Sequence, residues 1–148
     1  MVERTKESAI VNIKKGLVNG LSITFVMVKV IVPCYIAIEL IKHFGIIGAI
    51  SEFFKPFMRF FGLPGEAALA IIAGYTINLY AAIAVLSPLH LSSKDITIIA
   101  LMLGISHSLS VETPMTQQTG ANGWVLLVLR IVLSLFAGAG LNLIWKLL

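Results

Sequence analysis

The chain has 148 residues, of which 58% are hydrophobic and 12% are charged, and its mean hydropathy is +0.98. A typical soluble domain is about 45–50% apolar and about 25% charged. A globule of this size has too much surface to hide such an excess of apolar side chains. The composition therefore excludes a water-soluble enzyme and a disordered chain, and it predicts an integral membrane protein.

The net charge of +4 would favour nucleic acid as the partner of a soluble protein. Here the eleven Lys and Arg residues are mostly spread between apolar segments, as topology signals and anionic headgroups require. We therefore expect membrane lipid, and no nucleic acid, as a partner. The single cysteine, Cys34, excludes an intrachain disulfide, and its apolar surroundings favour simple packing.

The first two predicted elements are an amphipathic N-terminal segment, residues 1–16, and a first membrane span. Ile10, Ile13 and Leu17 recur at helical spacing among basic residues. This pattern predicts a short helix at the membrane surface, and a frayed tail is the open alternative. The apolar segment Leu21–Ile41 is long enough, at 1.5 Å per residue, to cover a hydrocarbon core of about 30 Å.

The next segment, Ile46–Phe61, is amphipathic. Its apolar residues fall at helical spacing, and Glu52, Lys55 and Arg59 occupy the other face. It is too charged to span, so we predict a helix that lies in the headgroup plane.

A second span is predicted from Pro64 and Glu66, which suit a helix start, to about Leu86. Asn78 lies on a stripe of small residues at four-residue steps, which favours close helix contact. Two roles for Asn78 remain open, a hydrogen bond between packed helices and a ligand for a solute. The small residues of the stripe are Ala70, Gly74 and Ala82.

The third predicted helix is broken. The segment Ser92–Asp95 predicts a capped start, but the apolar stretch Ile96–Ile105 covers only about 15 Å, half the bilayer. The polar segment Ser106–Gly120 follows it.

The last span runs from Trp124 to Trp145, with the two tryptophans as interface anchors. Together these segments predict an all-α polytopic fold with about four membrane-embedded helices, in which the third is broken or re-entrant.

Polar side chains at membrane depth need shelter by protein or by a water-filled cavity, because lipid cannot satisfy them. Broken helices of this kind form substrate sites in transporters, so we predict a substrate-binding site here. Lys29 and Arg130 are the candidate countercharges of Glu112. Structural roles stay open as alternatives. In these, Glu112 lies in a hydrated external loop and His107 is a hydrogen-bonded packing residue. Both cations can also extend to an interface. The predicted site residues are Lys29, Asn78, His107, Ser108, Glu112, Thr113, Thr116, Gln117 and Arg130.

Recognised catalytic patterns are absent, with no H-E-x-x-H, no G-x-S-x-G and no P-loop. His43 and His90 stand far in sequence from other metal ligands. We therefore expect no enzyme activity, no cofactor and no metal.

The basic residues predict an orientation. With four crossings, both termini share one side, which carries six basic residues against three on the other. The positive-inside rule then places both termini in the cytoplasm and the protein in the cell membrane.

The order of these features resembles the nucleoside-recognition, or Gate, family of small membrane proteins, which includes the spore maturation proteins A and B. More distantly, it is similar to domains of concentrative nucleoside transporters and of the ferrous iron transporter B. The resemblance covers roughly residues 17–146, and we expect a single transmembrane domain over residues 17–148. Its most specific piece is Gly62–Ala68 directly after Met58–Phe61. The polar break matches the family in its placement.

The resemblance implies an α-helical unit that works with a second such unit in inverted orientation, with substrate between them. We therefore expect a transport subunit for a small polar solute such as a nucleoside, coupled to protons or ions. It would act as a homo-oligomer or with a paralogous unit. The alternative is a structural or assembly membrane protein whose polar segment docks a partner.

Overall fold

A computed structural model describes the backbone of residues 2–147 and the side chains of residues 9–147. The regular structure of this part of the chain is entirely helical, which confirms the all-α class. Three stretches are long and apolar enough to cross a membrane: Ala9–His43, Ser93–Gln118 and Gly123–Leu147. The helices are α1 (Val2–His43), α2 (Ile46–Met58), a 3₁₀ turn (Arg59–Phe61), α3 (Ala67–Thr76), α4 (Leu79–Leu86), α5 (Ser93–Ile105), α6 (Leu109–Gln118) and α7 (Gly123–Leu147).

Helix α1 is continuous through Pro33 and through the predicted end of the amphipathic segment at residue 16. Most of its described side chains are exposed, and Ile38 is the one that is buried. Gly45 has a positive φ of 70° and redirects the chain into α2, the predicted amphipathic helix. The rest of the chain therefore leaves most of α1 uncovered, since α4 and α2 are the elements packed on its C-terminal part.

Helices α3 and α4 form a hairpin. A Cβ at Gly74 would lie 3.1 Å from the Cβ of Ala82, and Ala70 packs in one cluster with Val85. Residues eight positions apart in a continuous helix would be separated by about 12 Å. The prediction of a continuous second span to Leu86 is therefore wrong, because the chain turns back between α3 and α4.

The hairpin begins and ends at the same end of the bundle. The Lys42 ammonium donates to the carbonyl oxygen of Pro88, just after α4, at 2.8 Å. The Ser51 hydroxyl of α2 donates to a carboxylate oxygen of Glu66, just before α3, at 2.8 Å. Both contacts lie where α1 ends and α2 begins. At 1.5 Å per residue, α3 reaches about 15 Å into the bundle, which is half the hydrocarbon core.

Helix α5 lies at the centre of the core. It begins with the predicted capping box, in which Ser92 and Asp95 each accept a hydrogen bond from the other's backbone N–H. Four of its side chains are at most 1% exposed, and they pack against α3 and α7. These are Ile98, Ile99, Met102 and Leu103.

Helix α7 packs antiparallel to α5. The Ser134 hydroxyl donates to the carbonyl oxygen of Met102 at 2.8 Å, and Gly138 lies against the Met102 side chain. Nearer the C-terminus, the Asn142 amide donates to the carbonyl oxygen of Phe60 at 3.2 Å. The C-terminal end of α7 thus lies at the end of the bundle where the hairpin begins and ends.

Candidate functional site

The tip of the hairpin is the first of two helix breaks. Thr76 ends α3, and Asn78 adopts an extended backbone with φ −173° before α4 begins. The Asn78 side chain accepts a hydrogen bond from the N–H of Ala81 at 2.9 Å. Asn78 is therefore the N-cap of α4, since asparagine oxygens satisfy the free N–H groups of a first helical turn.

The second break separates α5 from α6, as the polar sequence predicts. Ser106 is extended, and Ser108 adopts a left-handed conformation with φ 49°. The Ser108 N–H donates to the carbonyl oxygen of Gly74 at 2.9 Å, and the Ser110 hydroxyl donates to that of Thr76 at 2.6 Å. These bonds join the two breaks at the depth of the hairpin tip. Groups of the protein thereby form hydrogen bonds with backbone N–H and carbonyl groups that lipid could not satisfy.

Side chains also satisfy the carbonyl groups at the end of α5. His107 Nδ1 lies 3.0 Å from the carbonyl oxygen of Leu103, and Arg130 Nε donates to that of Ile105 at 3.1 Å. The hydroxyls of Tyr75 and Ser134 are hydrogen-bonded to each other, which ties α3 to α7 beside the break. Ser106 is fully buried, and its hydroxyl has no hydrogen-bond partner in the described part of the chain.

Three ionisable groups meet at the second break. One carboxylate oxygen of Glu112 forms an ion pair with the Arg130 guanidinium, and the other lies 3.4 Å from His107 Nε2. The carbonyl oxygen of Leu103 can only accept, so His107 Nδ1 carries a hydrogen. A neutral ring then turns the Nε2 lone pair toward Glu112. The contact is an ion pair only if the His107 ring is protonated.

An open groove of about 440 Å³ lies beside these groups, between α3, α6 and α7. Tyr75 and Trp124 give it aromatic surface, while Thr76, Thr113 and Gln117 give it hydroxyl and amide groups. Its volume falls in the usual range of small-molecule sites, about 300–1,000 Å³. It is lined by Tyr75, Thr76, Leu109, Ser110, Thr113, Pro114, Gln117, Trp124, Leu127 and Ile131.

The structure brings most of the predicted site residues to this region, in different ways. Thr113 and Gln117 line the groove, and His107, Glu112 and Arg130 form the charged cluster beside it.

The remaining four predicted residues have other positions. Ser108 contributes its backbone N–H, the Thr116 hydroxyl donates to the carbonyl oxygen of Glu112 at 2.8 Å, and Asn78 caps α4. Lys29 is exposed on α1, and Arg130 is the cation that pairs with Glu112.

Three side chains of this region were missed as site candidates in the sequence: Tyr75, Trp124 and Ser134. Tyr75 was the most detectable, because a phenolic hydroxyl within an apolar helix needs a hydrogen-bond partner. Ser134 gives no distinct signal, because small residues are common where membrane helices pack closely. Trp124 was explained as an interface anchor. Its place in the groove depends on the packing of α7 against α6, which no local pattern specifies.

The fold and the site define a class of protein, a polytopic α-helical membrane protein with two helix breaks that meet inside the bundle. Residues 24–122 match the family described as Gate, nucleoside recognition. The match covers more than half of the chain, and the chain belongs to this family. No solved structure gives a significant match to it.

A curated relative is the uncharacterized membrane protein YvoD of Bacillus subtilis (strain 168). It is 36% identical to this chain over 130 residues, which is 88% of the chain and 42% of YvoD. The chain thus spans less than half the length of this relative.

Proposed function

We propose that the chain is a solute-binding unit of a membrane transport system, without enzyme activity. The observation that carries this proposal is the junction of the two helix breaks, where Ser108 and Ser110 bond to the carbonyl groups of Gly74 and Thr76. Transporters use discontinuous helices of this kind near the bilayer midplane to bind substrate. Membership in the Gate family supports the same role.

The solute class that fits the groove is the nucleoside. The rings of Tyr75 and Trp124 offer apolar faces for a flat base, and the polar groups of Thr113 and Gln117 suit its hydrogen-bonding edge. The family description, nucleoside recognition, agrees with this chemistry.

A second unit would complete the site, either another copy of this chain or a paralogous one. The groove is open on one side, so another protein surface has to close it before water is excluded from a bound solute. More than half of YvoD lies outside its match to this chain, which is room for a further unit of similar size.

We also propose proton coupling through the charged cluster. A proton on His107 Nε2 would place a second positive charge 3.4 Å from the Glu112 carboxylate, which already pairs with Arg130. Binding or release of that proton would change the net charge next to the groove. Transport would then respond to a proton gradient across the cell membrane.

The membrane topology that follows from the hairpin has three crossings, by α1, by α5 with α6, and by α7. The termini would then lie on opposite sides of the cell membrane. We propose this topology in place of the predicted four crossings with both termini in the cytoplasm, because that prediction counted residues up to Leu86 as a complete span.

The test is nucleoside binding by the full chain in proteoliposomes, alone and together with any membrane protein that co-purifies with it. The probes are labelled uridine and adenosine, with ribose and the free bases as comparisons. Thr113→Val and Gln117→Leu should each weaken binding about tenfold, the factor expected for one lost hydrogen bond of about 1.4 kcal/mol. Gln118→Leu is the matched control, since Gln118 is the next residue and does not line the groove.

Equal binding of the nucleoside by the Gln117 and Gln118 variants would contradict the proposal that the groove is the solute-binding site. If no combination binds or moves a nucleoside, and the groove variants instead lose a stable protein partner, the assembly alternative is correct.

A further inference from the structure

Two basic side chains meet where the 3₁₀ turn after α2 contacts the last turn of α7. Arg59 and Lys146 line one groove of about 320 Å³, together with Pro56 and Phe60. Neither cation forms an ion pair with a carboxylate among residues 9–147. Two positive charges without a carboxylate partner in the described part of the chain thus line the same groove, which favours an anionic ligand between them.

The neighbouring Lys55 differs from this pair. Its ammonium lies 2.8 Å from a carboxylate oxygen of Glu52 on the preceding turn of α2. The charge of Lys55 is therefore largely compensated. Lys55 and Glu52 line a larger adjoining groove of about 670 Å³, which Arg59 also borders.

An exposed aromatic stripe runs along the same element. Phe53, Phe57 and Phe60 fall at helical spacing and are 68%, 58% and 74% exposed. Such a stripe is unfavourable in water but suits a helix whose apolar face is buried about 5–10 Å into the headgroup and acyl boundary. Trp145, next to Lys146, is also exposed and suits the headgroup level.

The two segments that carry the cations are fixed against each other. The Asn142 amide donates to the carbonyl oxygen of Phe60, and Gly138 of α7 packs against Phe61. These contacts fix the last turns of α7 on the 3₁₀ turn that carries Arg59. A ligand that bridges Arg59 and Lys146 would not have to bring the two elements together, so it avoids that ordering cost.

We propose that Arg59 and Lys146 form a binding site for the phosphate of an anionic phospholipid, with its acyl chains against Phe57 and Phe60. A guanidinium can bind two phosphate oxygens at once, and an ammonium adds a point charge. The exposed phenylalanines favour lipid over free phosphate, because only lipid brings apolar chains that cover them. This site lies on the outer surface of the bundle, and it does not depend on solute transport.

The test is lipid binding to the delipidated full chain in a neutral detergent, measured by native mass spectrometry and by thermal shift. The probes are phosphatidylglycerol, phosphatidylcholine and inorganic phosphate. The chain should bind phosphatidylglycerol in preference to phosphatidylcholine. Arg59→Gln and Lys146→Gln should each weaken that binding about fivefold, which corresponds to about 1 kcal/mol for one basic residue near an anionic surface.

Lys55→Gln is the matched control, and it should change binding less than twofold because Glu52 already compensates that charge. All three residues are exposed, so the variants should fold, and gel filtration checks this. Equal binding of the two lipids would overturn the proposal, as would equal losses in the Lys55 and Arg59 variants. Complete displacement of the lipid by millimolar phosphate would indicate a free-phosphate site instead.

Discussion

The arrangement of Glu112, His107 and Arg130 links residue chemistry to the helix break. Glu112 lies in the first turn of α6, where a carboxylate also complements the positive end of the helix dipole. Arg130 uses its guanidinium twice, for Glu112 and for the Ile105 carbonyl oxygen. The sequence identified Glu112 and two candidate cations. It could not choose between Lys29 and Arg130, because that choice depends on which helix packs against α6.

This arrangement predicts strong energetic coupling between Glu112 and Arg130. Glu112→Gln and Arg130→Gln should each lower the melting temperature of the purified protein, because each leaves a partly buried charge without its partner. The double variant should recover part of the loss, with a coupling energy of about 1–2 kcal/mol. Thermal unfolding of the four proteins in one detergent measures it.

The exposed pair Glu52 and Lys55 provides the control cycle, built with the same substitutions. Its side chains are 72% and 65% exposed, so its coupling should stay below about 0.5 kcal/mol. A coupling at the break no larger than in this surface pair would mean that the ion pair contributes little to the site.

At the scale of elements, the two helix breaks differ in how far the sequence revealed them. The α5–α6 break carries Ser106, His107 and Ser108 after a short apolar stretch, and polar residues at that depth were a clear signal. The hairpin tip lies in a run of apolar and small residues, where two half-length helices look like one complete span. The N-cap preference of Asn78 was the local signal for a new helix start.

The hairpin depends on close contact between its two helices and α5, and Gly74 lies at that contact. A Cβ at Gly74 would lie 2.5 Å from a methyl group of Leu103. Gly74→Ala should therefore destabilise the protein by about 1–3 kcal/mol, the usual cost of overpacking. It should also weaken the bond from the Ser108 N–H to the Gly74 carbonyl oxygen, which would show as faster hydrogen exchange at Ser108.

Gly104 on α5 is the matched control for Gly74. A Cβ there would meet no atom within 4 Å. Gly104→Ala should leave stability unchanged or raise it by up to about 1 kcal/mol, because alanine favours a helix over glycine. If the two variants behaved alike, the contact between the hairpin and α5 would not be as close as the structure describes.

For the whole molecule, the hairpin is the reason for proposing three membrane crossings in place of the four that composition alone predicts. Hydropathy identified four apolar regions correctly, but it does not separate a crossing from a chain that enters and returns on one side. That distinction comes from contacts between distant residues, such as Lys42 with Pro88 and Phe60 with Asn142. The all-α class and the membrane location could thus be predicted, whereas the number of crossings depends on such contacts and stays a proposal to be tested.

Two histidines separate the two topologies. Four crossings put His43, at the end of α1, and His90, after α4, on opposite sides of the membrane, whereas a hairpin puts them on the same side. In a Cys34→Ser background, His43→Cys and His90→Cys should react with a membrane-impermeant maleimide in vesicles of the same orientation. Asn122→Cys, between α6 and α7, should react only in vesicles of the opposite orientation. All three positions are exposed, so a failure to react reports the side of the membrane and not burial in the protein.

Labelling of positions 43 and 90 from opposite sides would require α3 and α4 to cross the membrane. The hairpin and its junction with the second break would then be lost together.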